Sequence, residues 1–394
     1  MNKEIDEAEI DRVIKETADE IIQNRIEPPG RGVGWTTPVY FEGDFILNSP
    51  CGIYKGSMGI AIFLAAYHSR YGDERARKLL DKTLNPLMNP EKAFRYHTSS
   101  FADGIPGFIY ALIILSDILD NDTYIEAAEG YTSRIDEDGL REDDSFDILS
   151  GNAGVVLPLV ELYERRPNQD ILDKAVISGE HLLSESITDD PGITWNTGLS
   201  NKPLTGFSHG TTGISYSLLK LYLSTGEDRF LEAAEKGLRW EDSQYNENEK
   251  NWPDRREDRD YMDAWCHGRT GVLFAQIRMS QMIDGFDEYF RIDAIKEIST
   301  QLDTQDCLCH GNAGRTMLLL NAFRYLGDSE LEEKMHQLVL KMVARRNEKE
   351  RFRYIADLND TFYSPSLFLG SAGTAYSLLR VLDPEQFPSL LTID

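Results

Sequence analysis

Two short motifs in the chain combine residue types that bind a soft metal ion. They are Cys266-His267-Gly268 and Cys309-His310-Gly311, and a related motif, Ser208-His209-Gly210, has a histidine but no cysteine. The whole chain has only four cysteines and seven histidines, so chance would rarely place five of them at equivalent positions. Thiolate and imidazole ligands together select zinc, and catalytic zinc sites keep three protein ligands and one open position. The motifs therefore predict a zinc site with one open coordination position.

Spacing alone leaves five candidate ligands for this metal. They are Cys266, His267, Cys307, Cys309 and His310. Four cysteines in a chain of 394 residues do not indicate a disulfide framework and favour metal binding or catalysis. The remaining cysteine lies far from both motifs at position 51, and we interpret it as a small buried hydrophobic residue.

The glycines of these motifs belong to a pattern that is repeated along the chain. A Gly-x-x-Gly pair followed by an apolar segment occurs seven times, with first glycines at positions 56, 104, 151, 210, 268, 311 and 370. A recurring unit of this length is the signature of a repeat fold. We expect glycine at the start of each helix to let backbone amides approach a common centre, where helix N-termini attract negative charge. The competing interpretation is that the pairs only allow helices to cross closely.

Each repeat is expected to contribute one inner and one outer helix. Segments that are apolar on nearly all sides predict buried inner helices at residues 60–66, 108–115, 155–160, 214–219, 272–275, 317–320 and 374–379. Amphipathic segments predict outer helices at residues 5–22, 73–84, 123–135, 170–183, 228–240, 293–302 and 329–346.

Pairing the N-terminal outer helix with the last inner helix gives every inner helix one outer partner. The predicted fold class is therefore all-α, an α/α toroid of seven inner and seven outer helices that forms a single domain over residues 1–394. The polar, turn-rich segments 194–202 and 247–259 are expected to be surface loops or short hairpins. An open solenoid is the competing arrangement, but it normally has polar capping repeats at both ends.

Composition excludes several classes of partner. The formal net charge of −26 would repel nucleic acid and anionic membranes. It could attract a basic peptide or reflect a salt-rich habitat, but solubility is the favoured interpretation. No window of 18 apolar residues is present, so we expect no membrane span. The first 23 residues have no apolar signal-peptide core, and a cytoplasmic location is the default expectation.

The chain resembles the lanthionine synthetase C-like proteins, the cyclases of lanthipeptide biosynthesis. The matching motifs are Ser208-His209-Gly210, Trp265-Cys266-His267-Gly268, Cys309-His310-Gly311 and Phe146-Asp147-Ile148-Leu149-Ser150-Gly151. The resemblance implies an α/α toroid that holds one zinc ion on Cys266, Cys309 and His310. It also implies His209 as the acid/base residue and Asp147 as its carboxylate partner.

The segment from Gly206 to Gly210, together with Trp252-Pro253-Asp254, is most similar to the cyclase half of bifunctional lanthipeptide synthetases. The chain leaves no room for a dehydratase domain, so we expect either a free-standing cyclase or an excised half of a larger enzyme. His267 stands where some relatives have tyrosine. It is expected either to support the metal ligands or to contact the substrate.

The resemblance implies a reaction in which a cysteine thiolate adds to a dehydroalanine or dehydrobutyrine. Zinc would lower the thiol pKa from its ordinary value of about 8.5, and His209 would give a proton to the resulting enolate. Asp147 would orient His209 or raise its pKa; the competing interpretation of Asp147 is a helix N-cap. The expected partner is a dehydrated precursor peptide, with a dehydratase as a further candidate.

Three other functions compete with peptide cyclisation. Some relatives are expected to add glutathione to dehydroamino acids in proteins, and Arg269 and Arg315 are then the candidate anchors for its carboxylates. A zinc-stabilised peptide-binding scaffold without turnover is a second alternative, which His209 and Asp147 argue against. A sugar-cleaving α/α toroid is a third, but that chemistry uses paired carboxylates and not cysteine and histidine ligands.

Overall fold

The structure is a computed structural model that describes residues 6–27, 32–41, 44–93, 99–256, 261–354 and 363–393, and these residues are mainly helical. The helices are α1 (Glu7–Gln23), α2 (Ser57–Tyr71), α3 (Glu74–Leu84), α4 (Pro90–Ala93), α5 (Ile105–Leu119), α6 (Thr123–Thr132), α7 (Glu137–Arg141), α8 (Asn152–Arg165), α9 (Gln169–Ser184), α10 (Thr211–Thr225), α11 (Asp228–Ser243), α12 (Arg269–Met282), α13 (Ile292–Lys296), α14 (Asn312–Leu326), α15 (Ser329–Lys349) and α16 (Ser371–Leu382). The strands form two antiparallel hairpins, β1 (Thr37–Phe41) with β2 (Asp44–Asn48) and β3 (Ile187–Asp189) with β4 (Gly192–Thr194).

All seven predicted inner helices are confirmed, as α2, α5, α8, α10, α12, α14 and α16. Each begins one residue after the first glycine of its repeat. In α2, every residue from Ser57 to Tyr67 is buried, and α10 and α14 are buried in the same way over their first turns. A helix that is apolar on all sides is stable in water only when other elements surround it, and these helices occupy that position.

The outer helices bury one side and expose the other. In α3 the buried residues are Ala76, Leu79, Leu80, Thr83 and Leu84, which lie on one face at helical spacing. The N-terminal helix α1 is present and begins after Asp6, whose side chain accepts hydrogen bonds from two amides of the first turn. Residue 5, where the prediction placed its start, lies outside the described residues.

One outer helix is much shorter than predicted. The pattern predicted a helix over residues 293–302, but α13 ends at Lys296. The guanidinium of Arg315 donates hydrogen bonds to the carbonyl oxygens of Ser299 and Gln301. Those carbonyls are satisfied by a side chain and not by a helix, which explains why the chain leaves the helical path.

Glycine and an acidic residue connect three inner helices to their outer partners. Helices α2, α10 and α14 each end at a glycine with a left-handed backbone, at φ values of 66°, 72° and 69°. An acidic residue follows each glycine, and Asp73 and Asp328 accept hydrogen bonds from amides in the first turn of the next helix. Glycine adopts this backbone without steric cost, so the dipeptide ends one helix and starts the next.

The repeated glycines are explained by contacts within their own turns. A Cβ atom added to the second glycine of a pair would lie 1.8 Å from the carbonyl oxygen of Phe207 at Gly213, and 1.9 Å from that of Ile148 at Gly154. The same contact with a carbonyl six residues earlier recurs at glycines 59, 271, 314 and 373. The turn therefore folds onto the first residues of the helix, and only glycine leaves room for the carbonyl. At four of these glycines, 59, 213, 271 and 373, a side chain from the turn of a neighbouring repeat would also lie within 2.8 Å of the added Cβ, so close packing between repeats contributes to the pattern as well.

The described residues divide into two compact units. The first unit consists of the described residues within 1–96, 111–131 and 299–388. In this unit α16 packs against both α2 and α14, and α1, α3 and α15 cover these helices from outside. The second unit consists of the described residues within 97–110, 132–298 and 389–394. In this unit α10 packs against α8 and α12, and α9, α11 and α13 cover these three helices. The single domain over residues 1–394 stays a prediction.

The segments between helices form short pairings. Residues 187–194 form the β3–β4 hairpin, which ends where the predicted loop 194–202 begins. In the predicted loop 247–259, Asn251 pairs with Asn246 and Pro253 with Tyr261; residues 257–259 lie outside the described residues. The β1–β2 hairpin was not predicted. In the part of the chain that is described, no helix has the length and apolar character needed to cross a membrane.

Candidate metal and acid–base site

The turns that precede α8 and α10 bring Asp147 and His209 together. The amide of Ile148 donates a hydrogen bond to the carbonyl oxygen of Ser208, at 3.1 Å, which links the two turns. The Nδ1 atom of His209 lies 2.7 Å from Oδ2 of Asp147. The carboxylate is buried, and the imidazole keeps 16% of its side-chain surface exposed. Since Nδ1 is bonded to a carboxylate, Nε2 is the nitrogen that can face a substrate.

Asp147 also fixes its own turn. Its Oδ1 atom accepts the amide of Ser150 at 2.6 Å, so each carboxylate oxygen has a separate task. Helix α8 begins at Asn152 with Gly151 as its N-cap, and Asp147 is therefore not the helix cap. The carboxylate is held before any substrate arrives, and this favours a constant orientation of His209.

The surroundings of His209 favour its charged form. Burial lowers the pKa of this imidazole, but the hydrogen bond and charge of Asp147, with the negative charge of Cys266, outweigh it and raise the pKa above 6.5. A raised pKa increases the fraction of His209 that carries a proton, and a protonated imidazole can give that proton to a reacting carbon.

His267 flanks His209 from inside the protein. It is fully buried, and its ring stacks on that of His209 with centroids 5.2 Å apart. Neither of its ring nitrogens has a hydrogen-bond partner among the described residues, and Nδ1 lies 3.8 Å from Oδ1 of Asp254. Burial lowers the pKa of His267 to about 4, so its ring is neutral. Asp254, in the Trp-Pro-Asp segment, forms a two-point ion pair with Arg256.

Cys266, Cys309 and His310 form the one group of three possible metal ligands that is found among the described residues. Each offers one ligand atom, and the three atoms lie within 4.8 Å of one another. Sulfur atoms bound to one tetrahedral zinc ion lie about 3.8 Å apart, given Zn–S bonds of about 2.3 Å. Two buried thiols and an imidazole are also the donor types that zinc prefers, so these residues fit the metal.

The turn before α14 orients the last of these ligands. Nε2 of His310 lies 3.0 Å from the side-chain oxygen of Gln305. An amide oxygen can only accept, so Nε2 carries the hydrogen and Nδ1 keeps a lone pair for a metal. The amide of Cys309 donates to the carbonyl oxygen of Phe368 at 3.1 Å, which ties this turn to the one before α16.

Tyr54 contacts one of these ligands, and it was not predicted from the sequence. Its hydroxyl donates to Sγ of Cys309 at 2.9 Å. Tyr54 stands two residues before the first glycine of its repeat, at the offset that Cys266 and Cys309 occupy in theirs. The repeat alignment was therefore the signal that could have found it.

Glu241, at the end of α11, supports the turn that carries His209. Its two carboxylate oxygens accept the amides of Gly206, at 2.8 Å, and Thr212, at 3.2 Å. Burial raises the pKa of Glu241 to about 8, although these hydrogen bonds act in the opposite direction. The Gly206 backbone has φ of 108° and lies against the carbonyl of Cys266, where an added Cβ would come within 2.9 Å. The His209 turn therefore packs directly on the Cys266 turn.

A family model described as lanthionine synthetase C-like protein matches residues 49–392. This chain belongs to that family. The resemblance seen in its motifs is thereby confirmed over most of the chain.

Two relatives illustrate what this family member is similar to. It is 26% identical over 253 residues to the lacticin 481/lactococcin biosynthesis protein LcnDR2 of Lactococcus lactis subsp. lactis, a match that covers 60% of this chain and 25% of that protein. It is 25% identical over 354 residues to glutathione S-transferase LANCL1 of Danio rerio, with 85% and 83% of the two chains covered. The chain thus spans about a quarter of LcnDR2 and most of LANCL1.

A solved structure shows the fold. Nisin cyclase has a TM-score of 0.70 with this chain at 15% sequence identity, and the match covers 98% of this chain and 96% of nisin cyclase. The predicted α/α toroid class is confirmed by this likeness.

The two remaining cysteines of this lanthionine synthetase C-like chain differ from the ligand group. Cys307 is fully buried two residues from Cys309 and is not a member of the group. The prediction of a buried Cys51 is wrong, because its side chain is exposed in the turn before α2. The carbonyl oxygen of Cys51 accepts a hydrogen bond from the amide of Met58, so Cys51 stabilises the turn through its backbone and not through its thiol.

Proposed function

We propose that the chain is a zinc-dependent lanthipeptide cyclase. It would join the cysteine thiols of a peptide to dehydroalanine or dehydrobutyrine residues and so form lanthionine and methyllanthionine rings. The observation that carries the proposal is that a family member combines a Cys-Cys-His group with a buried histidine–carboxylate pair. The metal ligands would be Cys266, Cys309 and His310.

In this proposal zinc, when bound, lowers the pKa of the substrate thiol so that a thiolate is present at neutral pH. The sulfur forms a bond to the β-carbon of the dehydro residue, and the π electrons move onto the neighbouring carbonyl. His209, whose protonated form is favoured by Asp147 at 2.7 Å from its Nδ1, gives a proton to the α-carbon. It then regains a proton that balances the one lost by the thiol.

The substrate and setting belong to the same proposal. We expect a dehydrated precursor peptide as substrate, a dehydratase as the supplier of that peptide, a cytoplasmic location and one functional domain over residues 1–394. LcnDR2 is by its name a lacticin 481/lactococcin biosynthesis protein, which supports a peptide substrate.

Thiol counting tests this function. The zinc-loaded chain is incubated with a dehydrated peptide that contains cysteine, and the remaining thiols are alkylated and counted by mass spectrometry, because the addition itself leaves the peptide mass unchanged. We expect thiols to disappear with the wild type and at least about 100-fold more slowly with His209→Asn. His336→Asn, which makes the same change on outer helix α15, should keep full activity. Equal rates for the His209→Asn variant and the wild type would contradict the proposal.

Addition of glutathione to dehydro residues is the second candidate. LANCL1, whose name describes a glutathione S-transferase, matches this chain over most of both lengths. However, Arg315 is buried and donates to the carbonyls of Ser299 and Gln301, and Arg269 is bound to Asp263 at 2.5 Å. Arg315 is therefore engaged by the backbone, and only Nη1 of Arg269, which is buried without a hydrogen-bond partner among the described residues, is left as a candidate anchor. In the same assay, glutathione with a cysteine-free dehydrated peptide should give no adduct; rapid adduct formation would favour this candidate over cyclisation.

A further inference from the structure

The hydroxyl of Tyr54 and the sulfur of Cys309 form a hydrogen bond whose chemical role is not explained by the fold. The donor and the acceptor are 2.9 Å apart, and they lie 255 positions apart in the sequence. A side-chain hydrogen bond to a cysteine sulfur is not needed to satisfy a thiol, which is a weak acceptor. The same bond to a thiolate is charge-assisted and stronger.

Backbone and ring contacts hold Tyr54 in place. Its ring stacks on that of Phe368, with centroids 4.9 Å apart and planes 20° apart. The amide of Phe368 donates to the carbonyl of Tyr54, and the amide of Cys309 donates to the carbonyl of Phe368, each at 3.1 Å. Tyr54 and Cys309 are therefore both held by Phe368, through backbone hydrogen bonds and ring stacking, and these contacts direct the hydroxyl at the sulfur.

The proposed reaction creates a problem that such a bond would solve. The electron-poor alkene of the substrate lies close to two kinds of sulfur: the substrate thiolate and the cysteine ligands of the protein. If Cys309 Sγ attacked instead, a thioether would form between Sγ and the β-carbon, the α-carbon would take up a proton, and the ligand would be lost. The nucleophilicity of a thiolate falls as its electron density is withdrawn.

We propose that Tyr54 is a positioning residue that keeps Cys309 an unreactive ligand. Its hydroxyl withdraws electron density from Cys309 Sγ, so that the alkene reacts with the substrate thiolate and not with the protein. This inference rests on the proposed function. It is tested on the protein's own cysteines, so the two can fail separately.

Alkylation of the zinc-loaded protein provides the first test. Wild type, Tyr54→Phe and Tyr376→Phe are exposed to N-acetyldehydroalanine methyl ester without any substrate thiol, and alkylation of Cys309 is followed by mass spectrometry of its peptide. Tyr376 is the matched control, since its buried hydroxyl donates to the carbonyl of Pro388 and not to a cysteine. We expect Cys309 to react on the order of fivefold to tenfold faster in Tyr54→Phe, the factor that one hydrogen bond supplies, and at the wild-type rate in the control.

Cobalt substitution provides a second reading that does not depend on any reaction. Removing a hydrogen bond raises the energy of the sulfur electrons, so the sulfur-to-cobalt charge-transfer band of Tyr54→Phe should move to longer wavelength, with no movement in Tyr376→Phe. An unchanged band with an unchanged alkylation rate would overturn the proposal. So would loss of zinc from Tyr54→Phe alone, because Tyr54 would then hold the site together and not moderate its sulfur. A wild type that binds zinc and cyclises no peptide would remove the proposed function but leave this result valid.

Discussion

His209 lies where burial and charge act on its proton in opposite directions. Burial lowers the pKa of the imidazole, and the nearby carboxylate of Asp147 and the negative charge of Cys266 raise it by more. The neighbouring His267 is pushed the other way, to a pKa of about 4, because burial lowers its pKa and no carboxylate among the described residues forms a hydrogen bond with its ring. The pKa values of the two stacked histidines are thus shifted in opposite directions, which makes His209 the better candidate for the proton donor.

This difference predicts the pH dependence of Asp147→Asn. The general acid must be protonated, so activity is lost as the pH rises through the pKa of His209. Replacing the carboxylate by an amide removes the charge that raises this pKa, so the alkaline limb of the rate profile should move to lower pH. The rate at neutral pH should also fall by about tenfold or more. Initial cyclisation rates from pH 5 to 9 measure this, and Asp144→Asn, an exposed change of the same charge, is the control. An alkaline limb at the same pH in Asp147→Asn would show that His209 is not the acid.

At the scale of helices and turns, the end of α11 holds the turn that carries His209. Both carboxylate oxygens of Glu241 accept backbone amides, from Gly206 and from Thr212, which lie on either side of that histidine. Because the carboxylate is fully buried, its pKa is raised to about 8. An acid with a raised pKa binds its proton more tightly in the folded than in the unfolded state.

This raised pKa predicts a change of stability with pH. Between about pH 4.5 and 8 the folded protein keeps the proton of Glu241 and the unfolded chain does not, so stability falls as the pH rises and levels off above pH 8. The slope from one such group approaches about 1.4 kcal/mol per pH unit. Urea unfolding at pH 5, 6, 7 and 8 should show this slope in the wild type and in the exposed control Glu232→Gln, and a flatter one in Glu241→Gln. Parallel curves for Glu241→Gln and the wild type would contradict the assignment.

The local sequence predicted the helices better than it predicted where they end and which side chains link them. Segments that are apolar on all sides can only be buried, so the inner helices were identified from the glycine pairs and the apolar segments that follow them. The helix over 293–302 was predicted too long because Arg315, which competes for its carbonyls, comes from the next repeat. Glu241 could not be found in this way, since its partners lie 35 and 29 positions away and nothing in its own helix marks it.

Across the whole molecule, the seven glycine turns were sufficient to predict the fold class. They were not sufficient to select the metal ligands, because spacing left five candidates and only the family resemblance reduced them to three. The geometry leaves Cys307 out of the group, although it is only two residues from Cys309 and equally buried. Side-chain direction within a turn decides this, and sequence spacing does not contain it.

The net charge of −26 is also a property of the whole molecule. A surface of this charge attracts basic segments over distances of about 8 Å at physiological salt. Within the proposed function, we therefore expect neutral or basic precursor peptides to be preferred over acidic ones.

Zinc content per chain tests the central claim most directly. Elemental analysis of purified protein should give about one zinc per chain in the wild type and in Cys307→Ala, and almost none in Cys309→Ala or Cys266→Ala. Cys307→Ala is the matched control, since it removes a buried thiol two residues away that lies outside the ligand group. Zinc that stays in Cys309→Ala and leaves in Cys307→Ala would contradict the proposed ligands. A wild type without zinc would contradict the account of thiol activation itself.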